Sequence, residues 1–330
     1  MKKIAVLDLG TNVFNMLLAS FCKDCGCTYL REYKCAARLG AGGLASGKIS
    51  QEAFETASAA MERILQQIKE AGGADEIKPY ATSAVRDALN GTDFVKYMHD
   101  KFGVEIEVIP GEREAELIFK GIIKSLPVGL YEKGENILML DIGGGSNEFI
   151  ISNGKDILWK KSFPIGMARM REKFRYTEPI DEDTVLEFEK FCTEVLQPLW
   201  IEIERYKPSI FVGSSGSFDT FRDLMFGIEE KRWLKRGYKE SNDFERYNPA
   251  VELPADKLLE LHKVLSGSTA KERLAMPGMS PIRVDYIVLA SVFTQLVLKR
   301  VCPSVIYQSS YSLKEGAMLE EYEKWKAGCQ

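Results

Sequence analysis

The chain has 330 residues, 45% of them hydrophobic and 28% charged, with a formal net charge of −4. That length suits two domains of about 120–200 residues, each large enough to bury its own core. The acidic balance excludes a general nucleic-acid binder, and no run approaches the roughly 18 apolar residues of a membrane span. A polyanionic substrate remains compatible, because a local basic cleft can coexist with an acidic surface.

The N-terminus reaches Asp8 after the four apolar residues Ile4 to Leu7. A signal peptide needs about 7–15, so this is a first buried strand and a cytoplasmic location is expected. Asn15–Phe21 and Tyr29–Leu39 read as two further strands. Ser50 is placed to cap a helix whose apolar stripe is Phe54, Ala57, Met61, Ile64, Leu65 and Ile68, with Gly72 and Gly73 as its stop. A strand over Lys78–Val85, a helix over Asp93–Lys101, a strand over Val104–Pro110 and a helix over Glu112–Leu126 follow. Strands alternating with helices predict an α/β fold.

The pattern restarts near residue 134. Ile137–Asp141 is again a buried strand, and Asp141-Ile142-Gly143-Gly144-Gly145-Ser146-Asn147 repeats the device Asp8-Leu9-Gly10-Thr11-Asn12 at an offset of 133 residues. Two such loops a domain's length apart indicate a duplicated domain. The second half also carries Gly213-Ser214-Ser215-Gly216-Ser217 after a strand, and a basic cluster of Lys231, Arg232, Lys235, Arg236 and Lys239. A helix over Val284–Lys299, a strand near Val305–Gln308 and a helix from Lys314 close the chain. The expected domains are 1–125, completed by about 316–330, and 126–315.

Of the seven cysteines, Cys22, Cys25 and Cys27 cluster, but no second ligand pair follows, so a hairpin tip fits better than a zinc site. His99 and His262 lie in charged, helix-like surroundings and read as surface residues. Acid-base chemistry is left to carboxylates.

A glycine-rich turn between strands directs backbone N–H groups into a concavity suited to an anion. Gly143, Gly144, Gly145 and Ser146 form one such turn, and Gly10, Thr11 and Asn12 form its partner. Asp8 and Asp141 end their strands beside these turns, where a carboxylate either caps the turn or holds Mg²⁺ or Mn²⁺. Glu148 follows the second loop closely. Glu114 opens a helix, a place that suits a carboxylate through the helix dipole alone or as a water-activating group. Arg86, past a strand end, either contacts phosphate or pairs with Asp87.

Together, DLGTN at 8–12, RLGAGGL at 38–44, ATSAVRDALN at 81–90, GEREAELIF at 111–119, DIGGGSNE at 141–148, GSSGS at 213–217 and SSYSLKEG at 309–316 resemble the exopolyphosphatase/guanosine-pentaphosphate phosphohydrolase family. The resemblance implies two actin-like (ribonuclease H-like) domains with mixed sheets flanked by helices and an active-site cleft between them. It further implies hydrolysis of the terminal phosphate of inorganic polyphosphate or guanosine pentaphosphate, by a homodimer. Glu114 would activate water, supported by Glu148. Asp8, Asp141 and Glu148 would line the metal site. Gly10, Thr11, Asn12, Arg86, Gly143, Gly144, Gly145 and Ser146 would bind phosphate, and Gly213, Ser214 and Ser215 would contact a nucleotide or a distal phosphate.

The chain departs from the family pattern in three places: Thr11 and Val13 in its serine loop, Arg113 where a glutamate pair is usual, and Lys314 in place of arginine. The chain resembles the short, two-domain members. An actin-like kinase and a non-catalytic nucleotide-binding protein are the competing classes. Both explain less well why Glu114 and Glu148 stand beside intact phosphate loops.

Overall fold

The computed structural model describes residues 1–23, 26–43, 47–127, 129–130, 134–227 and 250–329, and the chain divides into two compact units. Among the described residues, the first unit holds Met1–Lys124 and the stretch from Tyr311 onward, and the second runs from Ser125 to Ser310.

In the first unit β1 (Lys2–Leu9), β2 (Val13–Cys22) and β3 (Gly26–Ala36) form an antiparallel meander. It is followed by α1 (Gln51–Glu70), β4 (Glu76–Ala81), the single turn α2 (Ser83–Arg86), α3 (Gly91–Phe102), β5 (Glu107–Val108) and α4 (Gly111–Ser125). The sheet order is β3-β2-β1-β4-β5, with β4 and β5 parallel to β1. Ile4 to Leu7 are buried because β1 is central; a strand covered on both faces reads as an unbroken apolar run.

Ser50 does cap α1, accepting the Ala53 N–H at 3.1 Å, and Phe54, Ala57, Met61, Ile64 and Ile68 are buried. The strand expected over Lys78–Val85 stops at Ala81. Thr82 O instead accepts the N–H groups of Val85 (3.0 Å) and Arg86 (2.9 Å), closing a helical turn. The strand expected over Val104–Pro110 pairs only at Glu107–Val108.

The second unit contains β6 (Ile137–Ile142), β7 (Asn147–Ser152), β8 (Ile157–Phe163), α5 (Met167–Lys173), α6 (Glu182–Val195), α7 (Gln197–Tyr206), β9 (Ile210–Ser214) and α8 (Ser215–Phe226). Then come β10 (Ala250–Glu252), α9 (Ala255–Ser266), α10 (Ala270–Leu274), α11 (Ile287–Val301) and β11 (Val305–Ser309). Its sheet order is β10-β11-β9-β6-β7-β8. Without the edge strand β10, that order and its parallel and antiparallel pairings repeat those of the first sheet. The duplicated loop thus belongs to a duplicated α/β unit.

The closing helix α12 (Leu313–Ala327) belongs to the first unit. Phe21 of β2 meets Tyr322 and Trp325, with ring centroids 5.3 and 5.7 Å away. Its first turn lies directly on α4: a Cβ added at Gly316 would stand 1.7 Å from Leu117 O, so only glycine permits that crossing. Lys314 is buried and pairs with Glu315 and, at 3.2 Å, with Glu32 of β3. Burial alone would lower its pKa, but the two carboxylates outweigh that and raise it.

His99 is exposed, 3.1 Å from Glu105. His262, expected at the surface, is partly buried between α9 and α11, with Nδ1 3.1 Å from Ser291 Oγ. Cys22 and Cys27 flank the β2–β3 turn. Cys25, Leu44 and the basic cluster over 231–239 lie outside the described residues. Among the described residues no helix is long and apolar enough to cross a membrane.

Candidate functional site

The β6–β7 loop is shaped by the start of α5. Its carbonyls at Gly143, Gly144 and Gly145 accept the N–H groups of Met167 (2.9 Å), Ala168 (2.9 Å) and Gly166 (3.1 Å), and Arg169 Nε adds a bond to Gly145 O at 3.2 Å. Within a trans peptide the N–H points opposite to the C=O. The N–H groups of Gly144, Gly145 and Ser146 therefore face away from α5, in the arrangement that cradles an anion. This depends on Gly166, where a Cβ would stand 2.4 Å from Gly144 C. No motif in the sequence marks Gly166; only the packing identifies it.

Strand register then builds a polar row across the second sheet. Asp141 lies opposite Glu148 on β7 and level with Ser214 on β9, while Glu148 lies opposite Ser162 on β8. In-register neighbours share a face of the sheet. Ser214 Oγ and Ser215 Oγ donate to Asp141 Oδ2 at 2.8 and 2.7 Å, and Ser162 Oγ donates to Glu148 Oε1 at 2.7 Å. Asp141 and Glu148 are 4% and 1% exposed.

Ser215 adopts φ 69° at the turn from β9 into α8, a left-handed conformation that costs a non-glycine residue free energy. Gly213 sits within β9 with the Phe218 ring 2.2 Å from where a Cβ would be, so its missing side chain serves packing. Arg283, which sequence reasoning passed over, adds positive charge: burial lowers its pKa, opposed by the charges of Asp219 and Asp141.

The first unit repeats the device. Gly10 N–H donates to Val13 O at 3.2 Å, as Gly143 N–H donates to Ser146 O at 3.1 Å. Asp8 lies opposite Asn15 as Asp141 lies opposite Glu148, and Asn15 Nδ2 donates to Asp8 Oδ2 at 2.8 Å. One half thus carries a carboxylate pair and the other a carboxylate–amide pair at the same offset. Thr11 O accepts Gly40 N–H at 3.0 Å, and Asn12 O accepts the N–H groups of Ala37 (2.9 Å) and Arg38 (3.0 Å), which fixes the loop's carbonyls.

Also in this unit, Arg86 and Glu114 meet. Arg86 Nη1 donates to Glu114 Oε2 at 2.8 Å and to Ile109 O at 3.1 Å, while its Nε stands 3.4 Å from Asp87 Oδ1. Glu114 is 7% exposed and sits in the first turn of α4. The expected base therefore has its carboxylate oriented by the expected phosphate-binding arginine.

Arg113, the departure beside Glu114, pairs with Glu320 of α12, which also receives Lys120 at 2.9 Å and Lys324 at 3.1 Å. Burial would raise the Glu320 pKa, but these bonds outweigh it and hold it at about 2, against an ordinary 4.5. Stabilisation from a depressed carboxylate is complete above its unfolded value and is lost as pH falls through the folded one. The melting-temperature gap between wild type and Glu320→Gln should therefore be full near neutrality and close as pH falls from about 4.5 to about 2. A gap that ignores pH would show that these ion pairs add nothing.

Among the described residues, no three of His, Cys, Asp and Glu gather as a metal cage. The oxygen-only set at Asp141 and Glu148 nevertheless fits a hard cation such as Mg²⁺, which takes one or two carboxylates and completes its shell with water and substrate phosphate.

Comparison with known proteins gives the chain's family and fold. The family model of the Ppx/GppA phosphatase family matches residues 22–325. Exopolyphosphatase 1 of Mycobacterium tuberculosis is 25% identical over 337 aligned positions, covering 97% of this chain and 88% of that protein. The crystal structure of an exopolyphosphatase from Cytophaga hutchinsonii shares 34% identity and a TM-score of 0.88 over 98% of each chain. A Ppx/GppA family member from Aquifex aeolicus shares the fold, with 21% identity and a TM-score of 0.73 over 98% of each chain. With the family match running through both units, and the two-unit fold shared over nearly the whole length, the chain belongs to the Ppx/GppA phosphatase family.

Proposed function

We propose that the chain is a cytoplasmic exopolyphosphatase, which hydrolyses the terminal phosphoanhydride of inorganic polyphosphate and releases orthophosphate. The observation that carries this reading is the β6–β7 loop, whose N–H groups are turned away from α5 beside the Asp141–Glu148 pair. Such a surface suits a phosphate chain and its counter-cation.

Phosphoryl transfer needs little covalent work from a protein beyond positioning and charge stabilisation. In the proposed mechanism Glu114 accepts a proton from the attacking water while Arg86 fixes its carboxylate. The water oxygen attacks the terminal phosphorus, the bridging P–O bond breaks, and the shortened chain leaves with its oxygen anionic. The N–H groups of Gly144, Gly145 and Ser146, with Gly10, Thr11 and Asn12, hold phosphoryl oxygens. Mg²⁺ or Mn²⁺, held by Asp141 with Glu148 and Asp8, would supply positive charge for the developing anion.

The test is phosphate release with Mg²⁺ from long-chain polyphosphate, guanosine pentaphosphate and ATP in parallel. Release mainly from polyphosphate is expected. Preference for guanosine pentaphosphate would transfer the assignment to the nucleotide, with Ser214 and Ser215 as its first candidate contacts. Release from none, with Mn²⁺ also tried, would overturn the hydrolase reading.

A further inference from the structure

At one end of the first sheet, two buried donors have no hydrogen-bond partner among the described residues. β1 and β4 run parallel, with Asp8 level with Tyr80 and Leu9 level with Ala81. The residues that follow, Gly10 to Asn12 on one side and Thr82 and Ser83 on the other, therefore leave the sheet side by side. Ser83 is 1% exposed and Asn12 is 8% exposed. Among the described residues, neither Ser83 Oγ nor Asn12 Nδ2 has a hydrogen-bond partner.

A buried polar group without a partner costs free energy, and native proteins keep few of them. Local structure does not account for Ser83. The backbone of this turn is satisfied: Thr82 O accepts the N–H groups of Val85 and Arg86, and Ser83 O accepts that of Asp87 at 2.9 Å. The side chain of Thr82, which begins the turn, makes no capping bond. An alanine at 83 would fill the same space at lower cost. Ser83 and Arg86 are three residues apart in one helical turn and so share a face, and Arg86 holds Glu114 at 2.8 Å. The orphaned hydroxyl thus belongs to the turn that leaves the sheet beside the Gly10–Asn12 loop and that also carries the arginine orienting the proposed base.

We infer that Ser83 is a substrate-binding residue whose hydroxyl, together with the Asn12 amide, donates to phosphoryl oxygens of the polyphosphorylated substrate. The inference rests on the phosphohydrolase reading above. An anionic acceptor satisfies both donors and makes the stronger, charge-assisted kind of hydrogen bond.

The experiment compares wild type with Ser83→Ala in polyphosphate hydrolysis, in melting temperature without ligand, and in the melting-temperature rise on adding tripolyphosphate with Mg²⁺. Ligand-free Ser83→Ala should melt at or above the wild-type temperature, since an unpaired hydroxyl is removed. Its KM should rise about tenfold to a hundredfold, the worth of a hydrogen bond to a charged group, and the tripolyphosphate shift should shrink. Ser83→Cys, similar in shape but a weak donor, should fall close to alanine. An active wild type with unchanged KM and ligand shift in Ser83→Ala would overturn the inference and leave the hydrolase reading intact. A lower ligand-free melting temperature with unchanged KM would also overturn it, by showing a structural hydroxyl. A wild type that neither hydrolyses polyphosphate nor responds to tripolyphosphate would remove the hydrolase reading itself.

Discussion

Glu114→Gln is expected to lower kcat on polyphosphate by about 10²–10⁴-fold, the usual contribution of a general base, with KM little changed. Glutamine keeps the shape and leaves a carbonyl oxygen to accept from Arg86 Nη1, now 2.8 Å from Glu114 Oε2. It loses the capacity to take a proton from water. Because Arg86 also bonds Ile109 O and approaches Asp87, its position should survive the change. Steady-state kinetics on polyphosphate separates two roles. A fall confined to kcat identifies the base; a rise in KM with kcat retained would reduce Glu114 to an anchor for Arg86. Full activity would remove Glu114 from the mechanism.

The second large effect is expected at Asp141. Asp141→Asn keeps one amide oxygen able to accept from Ser214 and Ser215, whose hydroxyls both donate to Asp141 Oδ2 at 2.8 and 2.7 Å, but removes one negative charge from the row shared with Glu148. Loss of one group from a preorganised electrostatic site costs about 10²–10³-fold in rate. A fall of that size in kcat/KM, with a higher Mg²⁺ concentration for half-maximal activity, is the expected outcome. If hydrolysis and Mg²⁺ dependence stay as in wild type, Asp141 only ties the Ser214–Ser215 turn to the sheet. Ser162→Ala, which removes the donor to Glu148 at 2.7 Å, should have a much smaller effect because the carboxylate itself remains.

Much of the proposed site is legible in the chain before folding. The loops at 10–12 and 143–146 stand out because glycine-rich turns after buried strands have few other uses, and their repetition at a fixed offset carries the duplication of the unit. Glu114 is readable as a first-turn carboxylate on α4. The partner of that carboxylate is not, since Arg86 lies 28 residues away and meets it only because α2 and α4 end up side by side. Gly166 and Ser162 fall outside every motif, yet one lets α5 turn the glycine loop and the other donates to Glu148. At Gly213 the missing side chain serves packing, because the Phe218 ring occupies the space a side chain would need.

The errors in secondary structure have the same origin. Lys78–Val85 reads as one strand, but β4 ends where its neighbours end, and the backbone then satisfies itself by turning into α2. At the sheet edge only Glu107–Val108 pairs in register with β4, with Ile109 N–H adding a bond to Ala81 O at 3.0 Å, although Val104–Pro110 has strand-like composition. By itself the sequence determined the central strands, the capped and striped helices and the two glycine-containing loops, because burial on both faces, helical periodicity and turn chemistry are local properties. Tertiary structure alone decided where strands stop, which carboxylates stand in register, and which buried donors remain without a partner. Those outcomes depend on residues distant in the chain, brought together by pairing and packing that no local pattern encodes.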